Sequence, residues 1–351
     1  MVQIITFVFS TFAMIIIEEC YSLKSYNTFG VQCLARIFAE ANNPDDLQTI
    51  INVFREDHRP KLILGGGSNM LFTEDFDGVV IFPDLKGYDV IEQSENHVWV
   101  KAYAGENWDK FVAYCVSKKW GGIENLSLIP GNIGASPIQN IGAYGVEVKD
   151  VIDSVEAVDL QTGDVRLFSN TECRFGYRDS IFKHEAKNKY IIVAVTFKLS
   201  KKPIFHINYK DVTEELKNFT EINIGSVRQA IINIRRRKLP DPEKLGNAGS
   251  FFKNPVVPID VYINIRKDFT DAPSYPVDDN HVKIPAAWLI QTCGWKGKRE
   301  ANVGTYETQP LVIVNYGQAT GSEIYEFGRK MQDSVYQKFN IELEMEVNII
   351  K

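Results

Sequence analysis

Pro130-Gly131-Asn132-Ile133-Gly134-Ala135-Ser136-Pro137-Ile138-Gln139-Asn140-Ile141-Gly142-Ala143-Tyr144-Gly145 is the stretch on which the reading of this chain turns. Its sixteen residues include four glycines, two alanines and two asparagines, too little apolar bulk for a core of their own. Such a segment lets a backbone approach a diphosphate closely and donate several N–H bonds to it. The alternative is a long structural loop, but loops of this length without secondary structure are uncommon unless they are functional.

Working outward, a second glycine run lies upstream. Gly65-Gly66-Gly67-Ser68-Asn69 separates the apolar Lys61-Leu62-Ile63-Leu64 from Met70-Leu71-Phe72. It is not a dinucleotide fingerprint, because G-x-G-x-x-G needs glycine where Met70 stands and a helix where an extended segment follows. A Walker loop is excluded too, since no Gly-Lys-Ser/Thr is present. What remains is strand, glycine loop, strand: either a tight turn or an anion nest.

The flanking segments alternate in type. Pro44 to Arg55 has helical spacing, with Leu47, Ile50, Ile51 and Phe54 on one face and Asn43 as its cap. Trp108 to Lys118 reads as a helix with Phe111, Val112 and Cys115 inward. Gly78–Phe82 and His97–Ala104 have β composition, and Val151 to Phe168 reads as a hairpin about Thr162-Gly163-Asp164. Lys189 to Phe197 is a buried strand, and Lys201-Lys202-Pro203 closes this part. From Ile222 a helix runs through Arg235-Arg236-Arg237. Further helices are expected around Ala286–Ile290 and over Glu323–Phe339, with strands at Leu311–Asn315 and Ile341–Ile350. The mixture indicates α+β or mixed α/β in two units.

A chain of 351 residues, 44% hydrophobic and 24% charged, is long enough for two domains. Its net charge of −6 argues against nucleic-acid binding, so an anionic ligand must be met by local basic groups. Five scattered cysteines with no C-x-x-C pair point to a reducing compartment. Five scattered histidines add no metal motif, and no metal is expected. The uncharged run Met1–Ile17 lacks the basic start of a signal peptide and falls short of the ~20 residues that span a bilayer. It reads as an upstream start-site artefact or an extension outside the fold, with Met14 an alternative start.

One more stretch carries chemistry. In Asn247-Ala248-Gly249-Ser250-Phe251-Phe252-Lys253-Asn254-Pro255 a serine stands between small residues and two aromatics, composition suited to a dry pocket where one hydroxyl faces a ligand. The bland alternative is a helix cap or a satisfied buried hydroxyl. In Cys173–Lys183, Arg178 has the planar fork that holds a carboxylate, or else pairs with Asp179 or Glu172.

These motifs together resemble a known family. The glycine stretches are similar to the FAD-binding domain of vanillyl-alcohol-oxidase (PCMH-type) flavoproteins. Their order and wording, with the serine motif, Cys173–Lys183 and Leu343-Glu344-Met345-Glu346-Val347, resemble the UDP-N-acetylenolpyruvoylglucosamine reductases, in the subtype with a tyrosine loop. The resemblance runs from about Leu23 to Glu346. It implies an α+β fold: a PCMH-type FAD-binding domain of two α+β subdomains over residues 21–202, a tyrosine loop and connection at 203–222, and an α+β substrate-binding domain at 223–335. A C-terminal strand at 336–351 would carry the catalytic glutamate, and residues 1–20 would be an extension.

The resemblance further implies non-covalent FAD, no residue here marking a covalent attachment, and NADPH as cosubstrate in a ping-pong reduction of UDP-N-acetylglucosamine enolpyruvate to UDP-N-acetylmuramate. Arg178, Ser250 and Glu346 would be catalytic, Ser250 as proton donor. Strand alternation does not separate Glu344 from Glu346, which the register favours. FAD contacts would come from Gly65, Gly66, Gly67, Ser68, Asn69, Pro130, Gly131, Gly134, Ala135, Asn140, Gly142, Ala143, Tyr144, Gly145 and Tyr177. Tyr209, Lys238, Asn254 and Tyr275 would contact the sugar nucleotide. Tyr306 departs from the pattern, which has histidine there. The expected enzyme is a cytoplasmic monomer needing no membrane partner. Rival readings are an oxidase of the same flavin family acting on another alcohol, and a nucleotide-sugar binder without flavin.

Overall fold

A computed structural model of the chain describes residues 15–351, a mixed α/β protein in two compact units. The first unit takes residues up to 21, 34–67 and 77–237; the second takes 22–33, 68–76 and 238–351. The division therefore does not follow the composition change at Pro203. The helix Ile224–Lys238 belongs almost wholly to the first unit, and two short early segments belong to the second.

The first unit contains two sheets. One has the order Ile16–Ser22, Leu34–Ala41, Phe76–Pro83, Lys61–Ile63, its last pair parallel. Helix Pro44–Phe54 supplies its cover by placing Leu47, Ile50, Ile51 and Phe54 in one buried cluster with Ile37, Ala39, Val79 and Ile81. Asn43 starts that helix, its Oδ1 accepting from the Asp46 N–H at 2.9 Å. Of the apolar N-terminal run, Met1–Met14 lies outside the described residues. Ile15 and Ile17 are buried and Ile16–Ser22 is a strand, so the expected extension over 1–20 ends earlier than its composition implied. Its last apolar residues have a sheet face to cover.

The other sheet is antiparallel, in the order Val165–Ser169, Ile152–Asp159, Tyr190–Ser200, His97–Tyr103, Tyr88–Gln93. Strand His97–Tyr103 buries every second residue, Val98, Val100 and Ala102, as one covered face requires. Helix Trp108–Ser117 lies in the same cluster through Phe111, Val112 and Cys115. Phe111 is fully buried, its ring centroid 5.0 Å from that of Phe197. On the same helix, Asp109 takes a two-pronged ion pair from Arg228 of helix Ile224–Lys238, at 2.7 and 3.0 Å. Burial pushes the Asp109 carboxyl up, but the Arg228 hydrogen bonds, the Leu128 N–H and the nearby Arg235 charge outweigh it and hold it below its ordinary value.

The second unit is built on the sheet Gly246–Ser250, Val312–Asn315, Val303–Thr305, Arg299–Glu300. Helix Gly321–Phe339 packs in its core through Ile324, Phe327, Met331 and Val335 and begins with a capping box of Thr320 and Glu323. Gly321 is required where it stands: a Cβ there would sit 1.6 Å from the Phe72 carbonyl oxygen. The expected long strand Ile341–Ile350 is instead short. Asn348–Ile350 pairs in parallel with Met70–Phe72, and before it only Met345 bridges to Phe252. Residues 341–347 follow an irregular path because their backbone groups bond to the serine segment rather than to a continuous ladder.

Two outcomes follow. Phe111→Ala should lower the free energy of unfolding by about 3–5 kcal/mol, measured by denaturant titration, because it empties a fully buried ring site; a loss under about 1 kcal/mol would contradict that packing. The folded-state pKa of Asp109 is depressed, so its stabilisation is present above the unfolded value near ~3.9 and is lost as pH falls through the folded value. Asp109→Asn should thus cost about 1–3 kcal/mol at pH 7 and progressively less below about pH 4. A pH-independent difference would show that the pair does not set it.

Candidate active site

In the first unit the two glycine stretches, 65 residues apart in sequence (131 minus 66), meet back to back. A Cβ on Gly66 would lie 2.8 Å from the Gly131 Cα and 3.1 Å from the Asn132 Oδ1; one on Gly65 would touch the Ala135 Cβ at 3.4 Å. Strand Lys61–Ile63 delivers the first stretch, and Gly67 turns it with φ +60°. The second stretch is fixed from behind. The Trp108 N–H donates to the Gly131 carbonyl at 3.0 Å, and the Gly134 N–H donates to the Ala104 carbonyl at 3.0 Å.

The N–H groups of Gly65, Gly66, Gly131 and Asn132 donate to no other described residue. Four such donors on two backbones in contact form the kind of nest that binds a diphosphate. The donor set therefore fits the diphosphate of a dinucleotide such as FAD, and a side chain at Gly66 would strike the Gly131 backbone and force the two stretches apart.

Arg178 is brought to this cradle by its own loop. Its backbone is left-handed, φ +55°, and its guanidinium donates to the Gly142 carbonyl at 2.8 Å. The Ser180 hydroxyl donates to the Ile138 carbonyl at 2.6 Å, and the Asn140 amide donates to the Gly176 carbonyl at 2.8 Å. The acids named as alternative partners are engaged elsewhere: Asp179 pairs with His184 at 2.8 Å, and Glu172 with Arg166 and Ser169. Tyr177 lies beneath the Arg178 guanidinium, 5.4 Å from its ring centroid.

Asn140 stands apart from the other expected cofactor contacts. Its side chain is fully buried and satisfied within the fold, donating to Glu147 and Gly176 and accepting from the Lys149 N–H. It shapes the cradle from behind. The ring of Tyr144, in contrast, is met edge-on by Tyr209, centroids 5.5 Å apart.

Sequence reasoning missed Arg235. Its Nε donates to the Leu128 carbonyl at 3.2 Å, and its charge lies close to the Tyr144 hydroxyl. Burial pushes its guanidinium pKa down, opposed by Tyr144 and Asp109. With Arg228 it sets two guanidinium groups around one Asp109 carboxylate, leaving a positive excess behind Tyr144. The only sequence signal was the run Arg235-Arg236-Arg237, which gives no indication of which arginine turns inward.

In the second unit the serine motif has a specific mould. The register of strand Gly246–Ser250 shifts between Asn247 and Ser250, where Gly249 adopts φ +70°. Buried Asn247 pins that turn by accepting the Gly249 N–H at 3.0 Å. Phe251 is fully buried against Gly328, where a Cβ would approach the ring to 2.6 Å. Ser250 is left half-buried at a strand end; it caps no helix, and its hydroxyl bonds to no described residue.

Beside it, the Glu346 N–H donates to the Phe251 carbonyl at 2.8 Å, and the Glu346 carbonyl accepts from Asn69 at 3.1 Å. Glu344 is 70% exposed and ion-paired with Lys253, whereas Glu346 is half-buried next to the serine segment. The irregular path of 341–347 thus separates two carboxylates that regular alternation would put on one face. Asn254 accepts the Ala286 N–H at 2.9 Å, fixing the start of helix Ala286–Thr292. Tyr275 is exposed on strand Tyr275–Pro276, Lys238 ends its helix with its carbonyl bonded by Thr308, and Ser68 adjoins Asn69. Among the described residues no group of three or more His, Cys, Asp or Glu is placed to hold a metal ion.

Residues 35–169 match the family model of an FAD binding domain, and residues 241–350 match the UDP-N-acetylenolpyruvoylglucosamine reductase C-terminal domain. The chain is 45% identical over 337 residues to the UDP-N-acetylenolpyruvoylglucosamine reductase of Flavobacterium johnsoniae, covering 95% of this chain and 99% of that one. It is 45% identical over 331 residues to that of Bdellovibrio bacteriovorus, covering 94% and 98%. The crystal structure of the reductase from Thermus caldophilus has the same fold, with a TM-score of 0.67, 23% identity, and 97% of this chain and 100% of that one covered. Two glycine stretches in contact in one unit and a moulded serine in the other accompany family models and relatives matched along almost their whole length, and these show that the chain belongs to the UDP-N-acetylenolpyruvoylglucosamine reductase family, FAD-binding oxidoreductases of peptidoglycan precursor synthesis.

Proposed function

We propose that the chain reduces UDP-N-acetylglucosamine enolpyruvate to UDP-N-acetylmuramate at the expense of NADPH, with Arg178, Ser250 and Glu346 as its catalytic residues. The observation that carries this reading is Ser250: a hydroxyl placed by a pinned left-handed glycine, half-buried, with no partner among the described residues. A hydroxyl that the fold does not itself engage is available to a ligand.

The diphosphate of FAD would be held by Gly65, Gly66, Gly131 and Asn132, with Gly67, Ser68, Asn69, Pro130, Gly134, Ala135, Gly142, Ala143, Tyr144, Gly145 and Tyr177 around it. When bound, FAD supplies the hydride chemistry, taking hydride from NADPH and giving it to the terminal carbon of the substrate's alkene. The chain supplies the rest. Arg178 holds the substrate carboxylate, on which negative charge grows as the double bond is consumed, and its fork is already oriented by the Gly142 carbonyl. Glu346 would donate a hydrogen bond to the same carboxylate when bound substrate excludes water and keeps it protonated. Ser250 then gives its proton to the carbon next to the carboxylate; a hydroxyl is a weak acid, but an enediolate is a strong base. The serine alkoxide recovers a proton from solvent, which balances the step.

Tyr209, 45% exposed at the start of helix Lys210–Leu216, would close over the substrate diphosphate, with Lys238, Asn254 and Tyr275 as further nucleotide contacts. The reaction is assigned to the cytoplasm and to a monomer, in keeping with cysteines scattered outside any disulfide pattern. No helix among the described residues is long and apolar enough to cross a membrane.

Anaerobic stopped-flow absorbance separates the two half-reactions. Ser250→Ala should leave reduction of the bound flavin by NADPH nearly intact and slow reoxidation by the sugar nucleotide by at least ~10³-fold. Equal losses in both would remove Ser250 from the proton step. Arg178→Lys should also cut reoxidation severely, since a point charge cannot reproduce a two-pronged donor. A wild-type protein that is yellow and bleached by NADPH, yet not reoxidised by UDP-N-acetylglucosamine enolpyruvate, would overturn the substrate assignment.

A further inference from the structure

We propose that Asn125 is a positioning residue, a buried latch that ties the segment carrying Tyr209 to the second glycine stretch. The role assigned to Tyr209 rests on the function proposed above; the latch itself rests on geometry alone. Asn125 is 1% exposed in the short helical turn Glu124–Leu126. Its amide donates in two directions: to the Tyr144 carbonyl at 3.1 Å, inside the second glycine stretch, and to the His206 carbonyl at 2.7 Å, three residues before Tyr209. One side chain thus bonds the backbones of two segments whose side chains also meet, Tyr144 and Tyr209 standing edge to face.

The segment it holds has little other means of staying put. Residues 203–208 form no helix or strand and alternate between half-buried and exposed. Phe205 and Ile207 lean on the cluster of Val212, Leu216, Val227 and Ile231, while Ile204 is 87% exposed. Thr213 fixes the Ile207 carbonyl at 2.6 Å, which secures the segment to its own following helix but not to the glycine stretch.

A second observation argues that the amide is present for its geometry. The Asn125 Oδ1 is buried and accepts from no described residue. A buried acceptor left without a donor is destabilising, by an amount comparable to what one hydrogen bond gains. An amide at this position therefore brings a penalty that a purely structural contact would avoid, and the two bonds from its NH₂ group are what it contributes in return. Held this way, the backbone at His206 cannot drift from Tyr144, and Tyr209 meets a substrate without first having to be ordered.

The test uses the FAD-loaded full chain with Asn125→Ala and with Asn125→Leu, which keeps the branched shape but loses the donors. Should the alanine variant fail to fold, the leucine variant carries the test. Trypsin cleavage at Lys201 and Lys210, which flank the segment, should accelerate by about tenfold or more while the thermal midpoint of the whole protein changes little. In steady state, kcat/KM for UDP-N-acetylglucosamine enolpyruvate should fall about tenfold, and kcat/KM for NADPH should stay within about twofold. In a Tyr209→Phe background the same Asn125 substitution should cost less than about twofold, because the latch acts through that tyrosine. Unchanged cleavage, equal losses toward both substrates, or full additivity with Tyr209→Phe would each overturn the latch. The cleavage readout needs no substrate, so a chain inactive on the sugar nucleotide would sink the proposed function and leave this inference standing.

Discussion

The close approach of Gly66 to Gly131 is the constraint on which the rest of the first unit depends. At these positions the backbones are so near that even a methyl group would strike the facing chain at 2.8 Å. Because they touch, the N–H groups of Gly65, Gly66, Gly131 and Asn132, which donate to no other described residue, lie close together, as a diphosphate site built from main chain needs. The strand Lys61–Ile63, the Trp108 and Gly134 backbone bonds and the buried side chain of Asn140 all maintain this contact. The binding proposed for this site is carried by main chain, which cannot be displaced without unfolding its supports.

The groups proposed as catalytic are each held by short ties within their own unit. Arg178 bonds to the Gly142 carbonyl, and its loop is sewn to the same stretch by Ser180 and Asn140. A guanidinium oriented by a carbonyl arrives at its ligand with less freedom to lose than one at a flexible tip. Ser250 is treated in a similar way in the second unit: Asn247 pins Gly249, Gly249 aims Ser250, and Phe251 fills the space beneath against Gly328. In both units a left-handed residue at the site is paid for by hydrogen bonds from neighbours.

The electrostatic arrangement is local, as an acidic chain that binds anions requires. Net charge is −6, yet Arg178, Arg228 and Arg235 gather in one region of the first unit with Asp109 as the carboxylate at the centre of the latter two. Burial disfavours the charge on Arg235, and Tyr144 and Asp109 partly compensate it. A cation held against its own desolvation is a source of favourable interaction for an incoming anion, since part of the ordering and desolvation cost is met during folding.

By itself the sequence determined the element types, the two glycine stretches, the serine motif and, through resemblance, the family, because periodicity, glycine content and motif wording are properties of neighbouring residues. Helix Pro44–Phe54 and the hairpin about Gly163 are local in this sense, and the structure contains both. Tertiary structure alone decided what depends on residues far apart in the chain: that Gly66 meets Gly131, that Arg235 rather than Arg236 or Arg237 turns inward, and that the Asn140 side chain ties the second stretch to Gly176. It also set Glu344 apart from Glu346, the first exposed and paired with Lys253, the second half-buried beside the serine segment. Alternation assumes a regular strand, and the bonds from the 341–347 backbone to Phe251, Lys253 and Asn69 break that regularity. Such bonds join segments that no local pattern connects, which is why they were invisible until the chain was folded.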